Sequence, residues 1–203
     1  MAGYVKVNLK EIIDELGEDR AKSILADFVC PLNKDVEYFL KNKAIEFSKQ
    51  GLSTTYLIFV SHQKEYKLVA YFTLAIKSIL VKKDVLSKTK QRKIVKFSTF
   101  LSDLKRYVLS AILIGQLGKN YKNEIDKQIT GNELLQMAFD TIKTIQNAIG
   151  GRFVFIECED IKGLKSFYKK NGFYEFGKRS LDREEIDTLQ GEYLIQMIKY
   201  LNN

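Results

Sequence analysis

One proline, no tryptophan, one histidine and two cysteines are spread over 203 residues, and each shortage removes a class of function. With one proline and twelve glycines the chain is neither collagen-like nor low in complexity. Cys30 and Cys158 lie far apart with no CxxC spacing, so neither a zinc ribbon nor a disulfide framework is expected. A histidine-based triad, a two-histidine metal site or an HExxH helix would all have to use His62. That residue stands in SHQKEY, whose polar turn composition is enough to explain it as a solvated loop residue, and no metal is expected. No stretch approaches the roughly 18 apolar residues of a membrane span, and MAGYVKVNLKEII lacks the pattern of a secretory leader. A cytoplasmic protein with no membrane partner is the expectation.

What is present is a folded composition: 45% apolar, 12% aromatic and 29% charged residues, expected as one domain spanning 1–203. The net charge is +8, and its location is informative. Between Lys77 and Arg106 stand ten basic residues, namely Lys77, Lys82, Lys83, Lys88, Lys90, Arg92, Lys93, Lys96, Lys105 and Arg106, against Asp84 and Asp103. The rest of the chain therefore holds 23 of the 33 basic residues and 23 of the 25 acidic ones and is neutral. Such a basic insertion reads either as an electrostatic footprint for a polyanion or as a solvated loop. Phe97, Phe100, Leu101, Leu104 and Val108 recur in it at near-helical spacing, so part of it should pack.

Hydrophobic periodicity gives the order of elements. A short strand at 4–9 is followed by helical segments, and one helix is expected over 34–49, with the stripe Val36, Phe39, Leu40, Ala44 and Phe47 and a stop at Gly51. TTYLIFV and YKLVAYFTLAI form a hairpin around the His62 turn, and SAILIGQL is a third strand ending at Gly118. A helix over 130–149, the glycines Gly150 and Gly151 and the strand RFVFIEC complete a crossover joining parallel strands. A helix near 161–170 stops at Asn171 and Gly172, and FYEFGKR and YLIQMIKY close the array. The fold class is α/β.

Two groups could carry chemistry. The loop QITGNE, Gln128 to Glu133, opens the long helix, where unpaired backbone N–H groups and the positive dipole end can receive a phosphate. Thr130 and Glu133 are equally a capping box whose task is to start that helix. The second group is SFYKKNGFYEFG, in which Phe167 and Tyr168 are core aromatics or Tyr168 faces the end of the preceding strands.

Together, SAILIGQLG, QITG at the mouth of a long helix, RFVFIEC, FYKKNGF and FYEFGKR resemble the GCN5-related N-acetyltransferases. The family's phosphate loop, (Q/R)xxGx(G/A), is met by Gln128 and Gly131, with Glu133 where a small residue is usual. Its FYxKxGF element is met at Phe167, Tyr168, Lys170, Gly172 and Phe173. The first half, with Cys30, Leu40 and the run from Gly51 to Tyr56, is similar to the branch found as toxins of toxin–antitoxin pairs and in mobile elements, whose best-known members acetylate the α-amino group of aminoacyl-tRNA. The likeness covers about residues 28–180, apart from a longer basic segment and the longer, more polar loop KNYKNEIDKQITG.

The resemblance implies a mixed, mostly antiparallel central sheet flanked by helices, with two splayed central parallel strands, and acetyl-CoA as co-substrate without a metal. Main-chain groups of Leu117, Gly118 and Lys119 would take pantetheine and polarise the thioester, and Gln128, Thr130, Gly131 and Asn132 the pyrophosphate. Tyr168 would be the general acid for the departing thiolate. Glu157 and Glu159, at the end of a central strand, are candidate bases. An α-amino acceptor, with an ordinary pKa of about 8, needs a base less than a lysine does. Aminoacyl-tRNA, held through residues 77–106, is the leading acceptor; a protein or small-molecule amine, or a non-catalytic nucleic-acid-binding module, remains open, as does a homodimer.

Overall fold

The computed structural model describes residues 3–62, 65–83, 87–183, 185–186, 188–189 and 191–201. The side chain of His62, the turn residues Gln63 and Lys64, and Asp84 lie outside the described residues, and with them the reading of His62 as a solvated loop residue. In chain order the elements are β1 (Tyr4–Asn8), α1 (Leu9–Leu16), α2 (Glu18–Ala26), α3 (Lys34–Asn42), α4 (Ala44–Lys49), β2 (Thr54–His62), β3 (Glu65–Lys82), α5 (Lys88–Lys96), β4 (Thr99–Leu101), β5 (Arg106–Lys119), α6 (Gly131–Ile149), β6 (Phe153–Cys158), α7 (Lys162–Lys170), β7 (Tyr174–Ser180) and β8 (Tyr193–Tyr200). The sheet has eight strands in the order β1-β2-β3-β5-β6-β8-β7, with β4 paired to β5. Pairing is antiparallel in β1–β2, β2–β3, β4–β5, β6–β8 and β7–β8, and parallel in β5–β6.

The chain divides into two compact units. The first comprises Met1–Ala75 and Ile114–Lys143. Its core gathers Leu9, Leu25, Phe28, Leu40, Ala44, Leu57 and Tyr71, all fully or almost fully buried, from α1 to α4 and the strands β2 and β3. Side-chain caps set the helix starts: Asn8 accepts the Lys10 amide at 2.9 Å and Asn33 the Val36 amide at 3.1 Å. The single helix expected over 34–49 is two, because Lys43 leaves helical torsions (φ −120°, ψ −31°). The break keeps Leu40 on one helix and Ala44 and Ile45 on the next within the same core.

The second unit comprises Ile76–Leu113 and Thr144–Asn203. Its core unites Ile79, Val81, Ile94, Tyr107, Leu109, Phe153, Phe155 and Ile198. The basic segment lies here and is built rather than loose: β3 runs on to Lys82, α5 follows, and β4 and the start of β5 form a short hairpin. Its apolar residues share no helix face. Phe97 ends α5, Phe100 and Leu101 lie in β4, Leu104 in the turn and Val108 in β5. Their near-helical spacing was the wrong period; packing comes instead from Phe97 against Phe153 and Tyr200, and from Phe100 against Tyr107 at 5.0 Å.

Candidate active site

In the first unit, β5 brings Leu117, Gly118 and Lys119 to its C-terminal end. Gly118 is buried, and a Cβ there would lie 2.3 Å from Val36 Cγ1 and 3.4 Å from both Phe28 Cζ and Tyr71 Cε1. The missing side chain thus admits α3 and the core, a packing role that the sequence pattern did not show. Just beyond, Asn120 is buried and ties the strand end down: its amide donates to Val69 O, its Oδ1 accepts the Val29 and Lys122 amides, and its Nδ2 donates to Leu68 O. A lone asparagine after a strand gave no sequence signal of this.

Gln128, Thr130, Gly131 and Asn132 all gather at the entry to α6, after a distorted 3₁₀ segment (Lys122–Gln128) in which Asn123 and Glu124 take positive φ. The capping box is formed. The Glu133 amide donates to Thr130 Oγ1 at 3.2 Å, and Glu133 Oε2 accepts both the Thr130 amide (2.8 Å) and its hydroxyl (2.7 Å). Tyr4, which sequence reasoning missed, donates its hydroxyl to Gln128 O at 2.7 Å and reaches Glu133 Oε1 at 3.4 Å. These hydrogen bonds, led by those from Thr130, lower the Glu133 carboxyl below its ordinary 4.5, so it is ionised at neutral pH. The start of α6 therefore already accepts an anion, its own Glu133 carboxylate.

In the second unit, β6 pairs with β5 at Ile112↔Val154 and Leu113↔Phe155. Glu157 on β6 is tied to its neighbours: Arg179 Nε donates to one carboxylate oxygen at 2.8 Å and Gln196 Nε2 to the other at 2.7 Å. Arg179 also holds Glu185 through its two terminal nitrogens, Nη1 and Nη2, and the joint pairing pushes its pKa further up. Neither Arg179 nor Gln196 was singled out from the sequence; the period-two alternation of β7 and β8 marks their faces but not their partner. Glu159, just past β6, is buried, and its carbonyl accepts the Ile161 amide.

Tyr168 lies on α7 and is 7% exposed. The motif around it has a structural logic of its own. The helix ends at Asn171, Gly172 takes φ +85°, and the Phe173 amide donates to Tyr168 O at 3.1 Å, returning the Phe173 ring edge-on to Tyr168 at 5.6 Å. Burial raises the phenol well above its ordinary 10, so the hydroxyl is a proton donor at any working pH. Cys158 lies close enough for a thiolate there to raise it further, but burial pushes that thiol up to about 12. Cys30 is buried and raised as well, so neither cysteine supplies a thiolate nucleophile at neutral pH. Among the described residues, no group of three or more His, Cys, Asp or Glu side chains could hold a metal, and no helix is long and apolar enough to cross a membrane.

No protein-family model and no curated protein matches the chain. Solved structures do. The chain is similar to AtaT complexed with acetyl-methionyl-tRNAfMet, with a TM-score of 0.61 and 18% identity over 95% of this chain and 94% of that one. The chain shares the fold of AtaT and KacT. A tyrosine-to-phenylalanine mutant of KacT matches with a TM-score of 0.61 and 16% identity over 95% and 93% of the two chains. AtaTR bound with acetyl-CoA matches with a TM-score of 0.55 and 14% identity over 95% and 91%. The mixed α/β sheet with a central parallel pair, expected from the sequence, is the one present.

Proposed function

We propose that the chain is an acetyl-CoA-dependent N-acetyltransferase that moves the acetyl group onto a primary amine by direct attack on the thioester, with the α-amino group of an aminoacyl-tRNA as acceptor. The observation that carries this reading is the fold, shared over 95% of the chain with a protein solved with an acetylated methionyl-tRNA and with one solved with acetyl-CoA. The chemistry of the two cysteines supports direct transfer. Both cysteines are buried and held as neutral thiols, so no cysteine is set up to carry the acetyl group between two half-reactions.

In this reading the neutral amine nitrogen attacks the thioester carbon. The N–C bond forms, the C–S bond breaks, the sulfur leaves as a thiolate, and the amine proton passes to solvent. Tyr168 donates its phenolic proton, or a hydrogen bond, to the thiolate. Because burial makes the phenol a weaker acid than free tyrosine, donation is concerted with bond cleavage rather than a completed transfer before it. Main-chain groups from Leu117 to Lys119 take the pantetheine and carbonyl, and the start of α6, with Gln128, Thr130, Gly131 and Asn132, takes the pyrophosphate. Glu133 must then release Thr130 or share it. Glu157 is committed to Arg179 and Gln196, which leaves Glu159 as the carboxylate to test as base.

A non-catalytic module is the second reading, favoured by the Glu133 carboxylate that already occupies the start of α6. Acetyl-CoA binding by calorimetry separates the two, because such a module has no need of the cofactor. Acetyl transfer to charged tRNA, compared with peptides and polyamines, then identifies the acceptor.

A further inference from the structure

The basic segment has two sides in the structure, and they do different things. On one side of α5, Ile94 is fully buried, Lys90 Nζ sits 4.0 Å from the centroid of Tyr174 and Lys93 Nζ 4.6 Å from that of Tyr200. These two lysines lie over the unit's own aromatic rings. At 100° per residue the opposite side presents Lys88, Arg92 and Lys96, one turn apart in a row of about 12 Å, beside Gln91 and Val95. These five residues share one open side of α5. Lys88, Arg92, Val95 and Lys96 are exposed, Lys96 Nζ lying also 5.5 Å from the centroid of Phe97, and among the described residues no carboxylate pairs with the three cations.

The placement of charge runs against what a helix needs for its own sake. The first turn of α5 holds Lys88 and Lys90 and no acidic residue, although the positive end of the helix dipole lies there, and its start has no side-chain cap. An incoming anion would relieve that arrangement. The outward face has only Val95 as an apolar residue, with Ile94 turned inward, so it offers nothing substantial to immerse in a bilayer, which argues against a lipid surface. A row of cations of this kind suits the regularly spaced phosphates of a nucleic-acid backbone.

We propose that the outward face of α5, through Lys88, Arg92 and Lys96, is a docking surface for the phosphate backbone of a structured RNA. That the RNA is the acceptor tRNA rests on the acetyltransferase reading; the surface itself does not.

The test is binding of bulk deacylated tRNA, followed by fluorescence anisotropy at salt concentrations from 50 to 200 mM. Removing three phosphate contacts in the triple variant Lys88→Ala, Arg92→Ala, Lys96→Ala should make the log–log salt dependence shallower by about two to three and weaken binding at least tenfold at 50 mM. The charge-preserving variant Lys88→Arg, Arg92→Lys, Lys96→Arg should keep wild-type affinity and slope, which separates lost contacts from a damaged helix. Equal affinity and slope in the wild type and the triple-alanine variant would overturn the proposal, as would binding to anionic vesicles with none to tRNA. Acetyl-CoA calorimetry on the same samples reports separately on the acetyltransferase reading: cofactor binding without tRNA binding sinks only the surface, and the converse sinks only the enzyme.

Discussion

Thr130 and Glu133 hold each other in both directions across the first turn of α6, the threonine hydroxyl taking the Glu133 amide while the carboxylate takes the Thr130 amide and hydroxyl. The same backbone positions are those expected to receive the cofactor pyrophosphate, so the carboxylate and the pyrophosphate compete. Replacing Glu133 by Gln keeps a capping side chain and removes the charge. The expected result is acetyl-CoA binding tightened by about two- to fivefold, measured by calorimetry at low salt. Unchanged or weaker binding would show that the pyrophosphate does not approach this turn.

The box also has a pH signature. Because the folded-state carboxyl of Glu133 is lowered, its contribution is fully present above the ordinary carboxylate value of 4.5 and is lost as pH falls through the lowered value. Hydrogen exchange of the Thr130 amide, extrapolated to a common chemical rate, should show protection constant from pH 7 to 5 and falling only below the ordinary carboxylate value. Loss of protection near neutrality would contradict the assignment.

For Tyr168 the raised phenol predicts a rate profile without a falling limb from its ionisation below pH 10. Turnover should rise with pH as the acceptor amine loses its proton and then level off. The Tyr168→Phe variant should lower kcat by about 10²-fold or more while acetyl-CoA binds as before. A variant with full turnover would remove the tyrosine from the chemistry.

Glu157 and Arg179 make the opposite prediction for a residue first considered as a base. With both oxygens engaged by Arg179 and Gln196, Glu157→Gln should lower the melting temperature and leave the acidic limb of the kcat/KM profile in place. Disappearance of that limb at unchanged stability would restore Glu157 as the base.

Much of this was legible in the sequence because it depends on local rules. The α6 helix, the β6 strand and the α7 turn at Gly172 follow from apolar period, helix stops and a left-handed cap, and the structure has them within a residue or two of the expected bounds. The elements misjudged were those set by distant partners. Phe97, Phe100 and Leu104 looked helical because the chain turns from helix to hairpin within eight residues; Phe153 and Tyr200 decide where Phe97 packs and Tyr107 where Phe100 does, while Leu104 stays exposed in the turn. Of the site, the residue types and their elements could be read from motifs. The commitments of those residues could not: Arg179 reaches Glu157 across 22 positions and Tyr4 reaches Glu133 across 129, and nothing local announces either.

Gly118 makes the same point about cause. The resemblance gave only its main chain a task, toward pantetheine, whereas the atom a side chain there would strike first is Val36 Cγ1. Gly118→Ala should cost about 1–3 kcal/mol in denaturant unfolding. Combining it with Val36→Ala should recover part of that loss, as a double-mutant cycle would show. Full additivity of the two changes would place the clash elsewhere.

Acetyl transfer to the amino end of a charged tRNA is the function proposed for this chain. The most direct measurement is transfer of labelled acetyl from acetyl-CoA to charged tRNA, with deacylated tRNA, peptides and polyamines in parallel and Tyr168→Phe as control. The account predicts label in charged tRNA, released by mild base as an N-acetylated amino acid, and little in the other pools or with the variant. Acetyl-CoA bound but label appearing only in peptides or polyamines would contradict the acceptor, and no transfer to any amine would contradict the enzyme.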